Sequence, residues 1–211
     1  MLIKGLKKAP YLVGALIPAW LGVGVLVAGY LYPGYDHVNQ AMSELGAAGS
    51  PTQFISPVIN NFPLGVLFIY FGFLVTKAFP SSPLAKLSGL LISTHGIGSI
   101  TAGYFSCDVG CHPAVPSSAQ VLHNVSGLIM FATLTLACAL WIWLGKKLLS
   151  SNLLTLFSLG CFAAAISVLP FMAEAVELGQ KFGLYQRINY GISVVWVAGL
   201  AYALHRSSGS S

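Results

Sequence analysis

Six long apolar runs are the feature that most constrains what this chain can fold into. They cover approximately residues 11–32, 58–76, 84–105, 121–145, 153–173 and 187–205. A helix of about 20 apolar residues spans the hydrocarbon core of a bilayer, and a spanning helix satisfies all its own backbone hydrogen bonds. The sequence therefore predicts an all-α fold, a polytopic membrane helix bundle with six transmembrane helices, in a single domain covering residues 1–206.

The composition agrees with a membrane protein and excludes a soluble one. Charged residues make up 7% of the chain, whereas a soluble domain is about 25% charged. The net charge of +5 comes from cations at the ends of the runs, with no basic stripe, so nucleic acid is excluded as a partner. The partner indicated is the lipid bilayer. The low-complexity tail, residues 207–211, is interpreted as disordered or as a cloning remnant.

The distribution of Lys and Arg predicts the orientation of the bundle. With the N-terminus inside, only Lys181 and Arg187 fall on the outer side. The inner cations are Lys4, Lys7, Lys8, Lys77, Lys86, Lys146, Lys147 and Arg206. This bias predicts a multi-pass protein of the cell (inner) membrane with both termini cytoplasmic. All five acidic residues then lie outside, so the candidate chemistry is expected at the extracytoplasmic end.

The first outer loop, residues 33–56, is predicted to form short amphipathic helices. Asp36 can cap a helix over about 37–45, and Ser50-Pro51 is a second helix start. The polar face of the first helix carries Asp36, His37, Gln40, Ser43 and Glu44. This face either lies in water at the membrane surface or turns toward a polar cup between the outer helix ends.

The second outer loop, residues 107–112, concentrates reactive side chains between two apolar runs. Cys107 and Cys111 would face an oxidising compartment and are predicted to form a disulfide, because Gly110 permits a tight turn. Thiolates that bind a metal and free thiols are the alternatives. Asp108, His112 and His123 could hold zinc with an open fourth position, or they could be polar groups at the water boundary.

His95 lies near the middle of the third run. An ionisable side chain within a membrane is a functional candidate, and the alternative is a neutral histidine bonded to Ser or Thr on a neighbouring helix. Haem held by two histidines would need a second histidine at this depth, so haem is not expected. Cys138 and Cys161 lie in apolar runs and are predicted to stay free thiols.

The start of the sixth run is polar and aromatic. Arg187 would suit an acidic side chain or an anionic ligand. Because three loops place polar groups at the same membrane level, we expect Glu44, Asp108, His123 and Arg187 to form one cluster, with Ser43 at its edge. The predicted ligand-binding residues are Asp36, His37, Ser43, Glu174, Arg187, Asn189 and Tyr190.

Two motifs resemble those of the membrane family called domain of unknown function 998. Residues 32–38 (YPGYDHV) and 43–46 (SELG) look like its first outer loop. Residues 105–111 (FSCDVGC), followed by His123, resemble its second motif, with Ser106 where that family typically has proline. The resemblance implies a multi-helix membrane protein with its motifs outside. It draws attention to Ser43, Glu44, Asp108 and His123.

Two functions of different class stay open. The first is an extracytoplasmic polar cup that binds a lipid headgroup, a small-molecule ligand or a membrane protein partner. The alternative is a metal-dependent hydrolase of lipids or other amphiphiles at the outer boundary, with Glu44, His123 and Asp108 as catalytic candidates. A remote analogy to alkaline-ceramidase-type membrane hydrolases rests only on the inventory of Ser, Asp and His residues. A transporter would need a polar path down to His95.

Overall fold

The computed structural model of the protein describes residues 9–208. Six long α-helices dominate this part of the chain: α1 (Val13–Tyr30), α2 (Phe62–Ala78), α3 (Pro83–Tyr104), α4 (Ser118–Leu149), α5 (Asn152–Leu178) and α6 (Phe182–Ser207). Residues 9–208 contain no strand, so the predicted all-α class is confirmed. The cations Lys4, Lys7 and Lys8 and the tail residues 209–211 lie outside the described residues.

Five helical segments are long and apolar enough to cross a membrane. They are Pro10–Tyr30, Pro57–Ala78, Ser118–Leu149, Asn152–Leu178 and Phe182–Ser207. Helix α3 has 22 residues but is less apolar, since it carries the buried polar side chains Ser88, His95 and Ser99. The structure therefore supports a multi-pass membrane protein, while a crossing by α3 stays a prediction.

The bundle has two ends of different character. The end that carries the loops 31–56 and 105–117 and the turn 179–181 is named the motif end here. The largest fully buried side chains, Trp141 and Trp196, lie toward the opposite end. Their indole N–H groups donate to the hydroxyls of Ser88 and Ser158 at 2.9 and 3.0 Å. The polar atoms of both indoles are thus paired, as is usual for buried tryptophan.

Helices α2 and α3 approach each other so closely that only glycine fits at the contact. A Cβ added to Gly89 would lie 2.6 Å from the carbonyl oxygen of Gly72, and one added to Gly72 would collide with the carbonyl oxygen of Gly89. Gly65 and Gly96 repeat this reciprocal contact, at 2.7 and 2.5 Å. Small residues permit such backbone contact between membrane helices.

The predicted amphipathic helix over residues 37–45 is not confirmed. The structure has a turn here, followed by a short 3-10 helix, Met42–Gly46. An α-helix would need the Met42 N–H to bond the Val38 carbonyl. Instead the Met42 N–H donates to Gln186 Oε1 at 2.7 Å, and the Val38 carbonyl accepts from the Leu184 N–H at 2.8 Å. Contacts with α6 thus replace the local helical bonds.

The glycine contact between α2 and α3 gives a stability prediction. Gly72→Ala should lower the free energy of unfolding by about 1–3 kcal/mol, because the helices must move apart. Gly160→Ala is the matched control, since Gly160 lies in α5 with open space around it. It should leave stability unchanged or raise it by up to about 1 kcal/mol. Thermal unfolding in detergent micelles measures both, and equal melting temperatures would contradict the packing.

Candidate functional site

The first loop is fastened to the start of α6 by backbone hydrogen bonds. The N–H groups of Gly183 and Leu184 donate to the carbonyls of Asn39 and Val38 at 3.3 and 2.8 Å. The Lys181 N–H donates to the side-chain oxygen of Asn39 at 2.9 Å. The first N–H groups of a helix have no partner within it. The loop therefore acts as the N-terminal cap of α6.

Arg187 holds the same loop from one turn further along α6. Its Nη1 donates to the carbonyl oxygens of Gln40 and Gly183 at 3.0 and 2.9 Å. Its Nη2 donates to the Tyr35 hydroxyl at 2.6 Å and lies 3.3 Å from His37 Nδ1. The cation thus binds uncharged groups. Burial, and then the nearby guanidinium, lower the pKa of His37, which favours the neutral ring that can accept this bond.

The two acidic residues of the first loop hold its turns. The Asp36 carboxylate accepts from the N–H groups of Val38 and Asn39 and from the Asn39 side chain, the last at 2.6 Å. The bonds from Asn39 and Val38 lower the pKa of Asp36. Glu44 accepts from the Ala41 N–H and the Gln40 side chain, both at 2.8 Å. Both carboxylates thus stabilise backbone turns.

Asp108 and His123 join the second loop to the helices on either side. Asp108 accepts from the backbone N–H and the hydroxyl of Ser117 at 2.9 and 2.6 Å, bonds that lower the pKa of this carboxyl. His123 Nδ1 lies 2.8 Å from the Phe105 carbonyl oxygen and 3.0 Å from that of Ala102. Since carbonyls only accept, Nδ1 carries the hydrogen, and His123 satisfies carbonyls at the end of α3.

The predicted disulfide is present in the structure. Cys107 and Cys111 are bonded, with their Cα atoms 5.0 Å apart, and Gly110 has a φ of 69° at the turn between them. The Cys107 carbonyl accepts from the Ala48 N–H at 2.8 Å, so the bridged loop is tied to the first loop. The other two cysteines, at positions 138 and 161, are free as predicted.

The predicted cluster of outer charges does not form through direct hydrogen bonds between described residues. Glu44, Asp108, His123 and Arg187 each bind the separate partners given above. Glu174 is exposed on α5, and the exposed His112 lies edge-on to Phe182 with ring centroids 6.2 Å apart. Within residues 9–208, no three His, Cys, Asp or Glu side chains are placed to share a metal ion. The zinc set Asp108, His112 and His123 stays a prediction.

A cavity of about 340 Å³ lies beneath the first loop, between the motif-end halves of the helices. All six helices contribute to its walls, and the 3-10 helix Met42–Gly46 contributes to its roof. Of the predicted ligand-binding residues, Ser43, Asn189 and Tyr190 line it, as does the catalytic candidate His123. The other predicted ligand-binding residues, Asp36, His37, Glu174 and Arg187, are not in its lining.

The cavity lining is apolar with uncharged polar groups. Among the described residues that line it there is no Asp, Glu, Lys or Arg. The polar lining side chains are those of serine, asparagine, glutamine, histidine and tyrosine. Ligand pockets typically combine an apolar wall with a few polar groups, in volumes of about 300–1,000 Å³. The cavity therefore has the size and lining of a ligand site.

A histidine–tyrosine pair forms a buried polar contact in the cavity wall. His95 Nδ1 lies 2.9 Å from the Met130 carbonyl oxygen, and its Nε2 lies 3.0 Å from the Tyr190 hydroxyl. The carbonyl must accept, so Nδ1 carries the hydrogen and the neutral ring accepts the Tyr190 hydroxyl hydrogen at Nε2. His95 is 1% exposed, which disfavours a charged ring. Its side-chain partner is a tyrosine and not the Ser or Thr that the sequence indicated.

Asn60 presents an unpaired polar atom beside the same cavity. This residue is 5% exposed, and its Oδ1 has no hydrogen-bond partner within the described part of the chain. The amide faces Gly24 of α1, where an added Cβ would collide with it. An unsatisfied buried oxygen costs about 1–3 kcal/mol. From the sequence, the amides of Asn60 and Asn61 near the outer end of the second run are expected to make either helix–helix contact or ligand contact.

The cavity reaches the side of the bundle near α4. At the motif end, α4 bonds to α3, with Ser126 Oγ and Thr101 Oγ1 2.8 Å apart, while α5 stacks on α6 through Phe171 and Tyr185. Gly127 of α4 lines the cavity, is exposed, and has open space where a Cβ would stand. Phe131 of the same helix and Leu169 and Met172 of α5 also line the cavity.

Comparison with known protein families identifies a family whose sequence model matches this chain. The sequence model of a family described as "Protein of unknown function (DUF998)" matches residues 13–203. This range contains every residue that lines the cavity and both motifs singled out in the sequence. No curated protein and no solved structure matches the chain.

The contacts of Arg187 predict what its loss would do. Arg187→Leu should lower the free energy of unfolding by about 2–3 kcal/mol, because the Tyr35 hydroxyl and the Gln40 carbonyl lose a charged donor. It should also expose the first loop to proteolysis. Lys181→Leu is the control: this exposed side chain is six residues away and only its backbone binds the loop, so the change should be below about 0.5 kcal/mol. Equal effects of the two substitutions would contradict the role of Arg187.

Proposed function

The chain belongs to the DUF998 family, and we propose that this multi-pass membrane protein binds an amphiphilic molecule of the bilayer in the cavity at its motif end. The observation that carries the proposal is the lining of that cavity. Apolar side chains of α1 to α5 line it together with uncharged polar groups, which include all the lining side chains of α6. An amphiphile has the matching combination of an apolar chain and a polar group.

The depth of the polar groups supports a ligand drawn from the membrane. His95 lies nine residues from the end of α3 and Tyr190 lies eight residues from the start of α6, which is about 12–14 Å along each helix. The hydrocarbon core of a bilayer is about 30 Å thick. The exposed Gly127 supports access from the side, through the motif-end half of the bundle.

The charged residues in the first loop and beside it support the interpretation of this loop as a roof over the cavity. Arg187, Asp36 and Glu44 bind groups of that loop or of α6 itself, and none of them lines the cavity. We therefore place the ligand below the loop, and not in a charged cup above it. The 3-10 helix that carries Ser43 is the part of the loop that would contact the ligand.

A metal-dependent hydrolase is the alternative that the sequence left open. Of its catalytic candidates, Glu44 and Asp108 accept backbone N–H bonds that hold turns, and His123 lines the cavity. This arrangement favours binding over hydrolysis. Elemental analysis of the purified protein distinguishes the two functions, since one zinc per chain would favour the hydrolase.

We further propose that α3 crosses the bilayer, with the motif end extracytoplasmic and both termini cytoplasmic. Helix α3 has 22 residues, which gives it a length of about 33 Å. Its polar side chains Ser88, His95 and Ser99 are buried against neighbouring helices and not exposed to lipid. The cations Lys77, Lys86, Lys146, Lys147 and Arg206 all lie toward the end opposite the motifs, as the positive-inside rule requires.

Cysteine labelling in intact cells tests this topology. Ser82 lies at the start of α3, and Ser117 lies at the end of the loop that follows α3. Each is replaced by cysteine in a separate variant. A membrane-impermeant maleimide should label position 117 from outside and position 82 only after the membrane is permeabilised. The Cys107–Cys111 disulfide blocks the native outer thiols. Labelling of both positions from the same side would contradict a crossing by α3.

Photo-crosslinking tests the binding function. Hexadecyl amphiphiles that carry a diazirine in the chain, with hydroxyl, carboxylate or phosphocholine headgroups, are incubated with the protein in nanodiscs. Crosslinks to Met130, Phe131 or Met172, mapped by mass spectrometry, would support the proposal whichever headgroup gives them. Gly127→Phe should fill the cavity and reduce these crosslinks at least tenfold. Gly160→Phe, on an open face of α5, should leave them unchanged.

Two outcomes would contradict the binding function. One is crosslinking confined to the outer surface of the bundle with every headgroup. The other is equal crosslinking of cavity residues in the wild-type and Gly127→Phe proteins while both keep the same melting temperature. Either result would mean that the cavity does not hold an amphiphile.

A further inference from the structure

We propose that the ligand of the cavity is an uncharged lipid alcohol, whose hydroxyl group donates a hydrogen bond to the Tyr190 oxygen. This inference rests on the proposed function and adds the chemical class of the ligand. It follows from which hydrogen-bonding atoms of the cavity are already used and which are left.

The absence of ionised side chains from the described lining selects an uncharged polar group. A charged headgroup that leaves water for an apolar site without a counter-ion costs several kcal/mol. Arg187 does not line the cavity, so its guanidinium is not placed to pair with a headgroup there. Carboxylate and phosphate headgroups therefore fit the cavity poorly.

The histidine–tyrosine pair leaves an acceptor at the deep end of the cavity. His95 donates from Nδ1 to the Met130 carbonyl, so its Nε2 accepts the hydrogen of the Tyr190 hydroxyl. The Tyr190 oxygen then has lone pairs but no hydrogen for a ligand. Tyr190 is half-buried and lines the cavity. A ligand that binds this oxygen must donate.

The neighbouring hydroxyls that line the cavity are also used as donors. Ser99 Oγ donates to the Asn61 carbonyl at 2.9 Å, and Ser193 Oγ donates to the Asn189 carbonyl at 3.1 Å. A hydroxyl has a single hydrogen, so neither group can donate to a ligand. Both oxygens keep lone pairs, so the lining has further acceptors besides the Tyr190 oxygen.

One more lining residue has an acceptor. His123 donates from Nδ1 to carbonyls of α3, so Nε2 of the neutral form of this ring has a free lone pair. Gln186 has a donor instead of an acceptor for the ligand. Its Oε1 already accepts from the Met42 N–H, and its side-chain NH2 group can donate. It lies next to the roof, where it suits a second oxygen nearer the aqueous surface.

The apolar part of the ligand has its own wall. Leu21, Val25, Phe131, Leu134, Leu169 and Met172 line the cavity around the polar atoms. An alkyl chain in contact with these side chains can extend past Gly127 into the surrounding lipid. A hydroxyl group on a long chain therefore donates its one hydrogen to the Tyr190 oxygen, carries no charge and keeps its chain in an apolar environment.

A competition assay with matched probes tests the inference. The diazirine-bearing hexadecanol is displaced from wild-type protein in nanodiscs at pH 8 by 1-hexadecanol, hexadecanoate or hexadecane, which share a chain and differ at one end. Hexadecanol should displace it at a concentration at least tenfold lower than either of the others. Tyr190→Phe should weaken displacement by hexadecanol about five- to tenfold, the value of one hydrogen bond, and leave hexadecane unaffected.

Tyr185→Phe is the matched control, because Tyr185 lies on the same helix but stacks on Phe171 and is not in the lining. It should leave all three probes unchanged. Equal displacement by hexadecanol and hexadecanoate in the wild-type protein would overturn the inference, and this comparison needs no variant to fold. An unchanged hexadecanol affinity in a folded Tyr190→Phe protein would overturn it too. Both results would leave the binding function standing, because neither is one of the two crosslinking outcomes that contradict it.

Discussion

The hydrogen bonds from α6 to the first loop are the interactions on which the motif end depends. Arg187 binds the loop at Tyr35 and Gln40, and the first N–H groups of α6 bind its carbonyls. These bonds hold the 3-10 helix Met42–Gly46 above the cavity. The partners of Arg187 are uncharged groups, so no acidic side chain is used to bind its guanidinium. The acidic residues instead hold turns of their own loops.

The helices could be predicted from the sequence because each follows from local properties. The lengths of the apolar runs predict all six helices. The pair Cys107 and Cys111, with Gly110 between them, predicts the disulfide. The first loop could not be predicted in the same way. Its cap at Asp36 forms as expected, but the helix after it does not continue, since the carbonyls it needs are bound by residues more than 140 positions away.

The residues of the candidate site likewise divide into those that could be predicted from the sequence and those that could not. Tyr190 and Asn189 were recognised as polar groups at a helix start, and both line the cavity. The charged residues drew attention for their chemistry, yet Asp108 and Arg187 serve as structural links. No sequence pattern marks Gly127 as a lining residue, because a cavity is defined by what neighbouring helices leave empty. That depends on packing among all six helices and not on any one of them.

The exposed position of Gly127 has a consequence for how selectivity arises. A ligand that reaches the cavity past this residue comes from the bilayer, so its affinity is properly expressed as a mole fraction in lipid. Lipid tails are as apolar as the side chains of the wall, and moving a chain from one to the other changes the free energy little. Chain length would then hardly affect occupancy. Discrimination among lipids would come almost entirely from the few polar atoms around Tyr190.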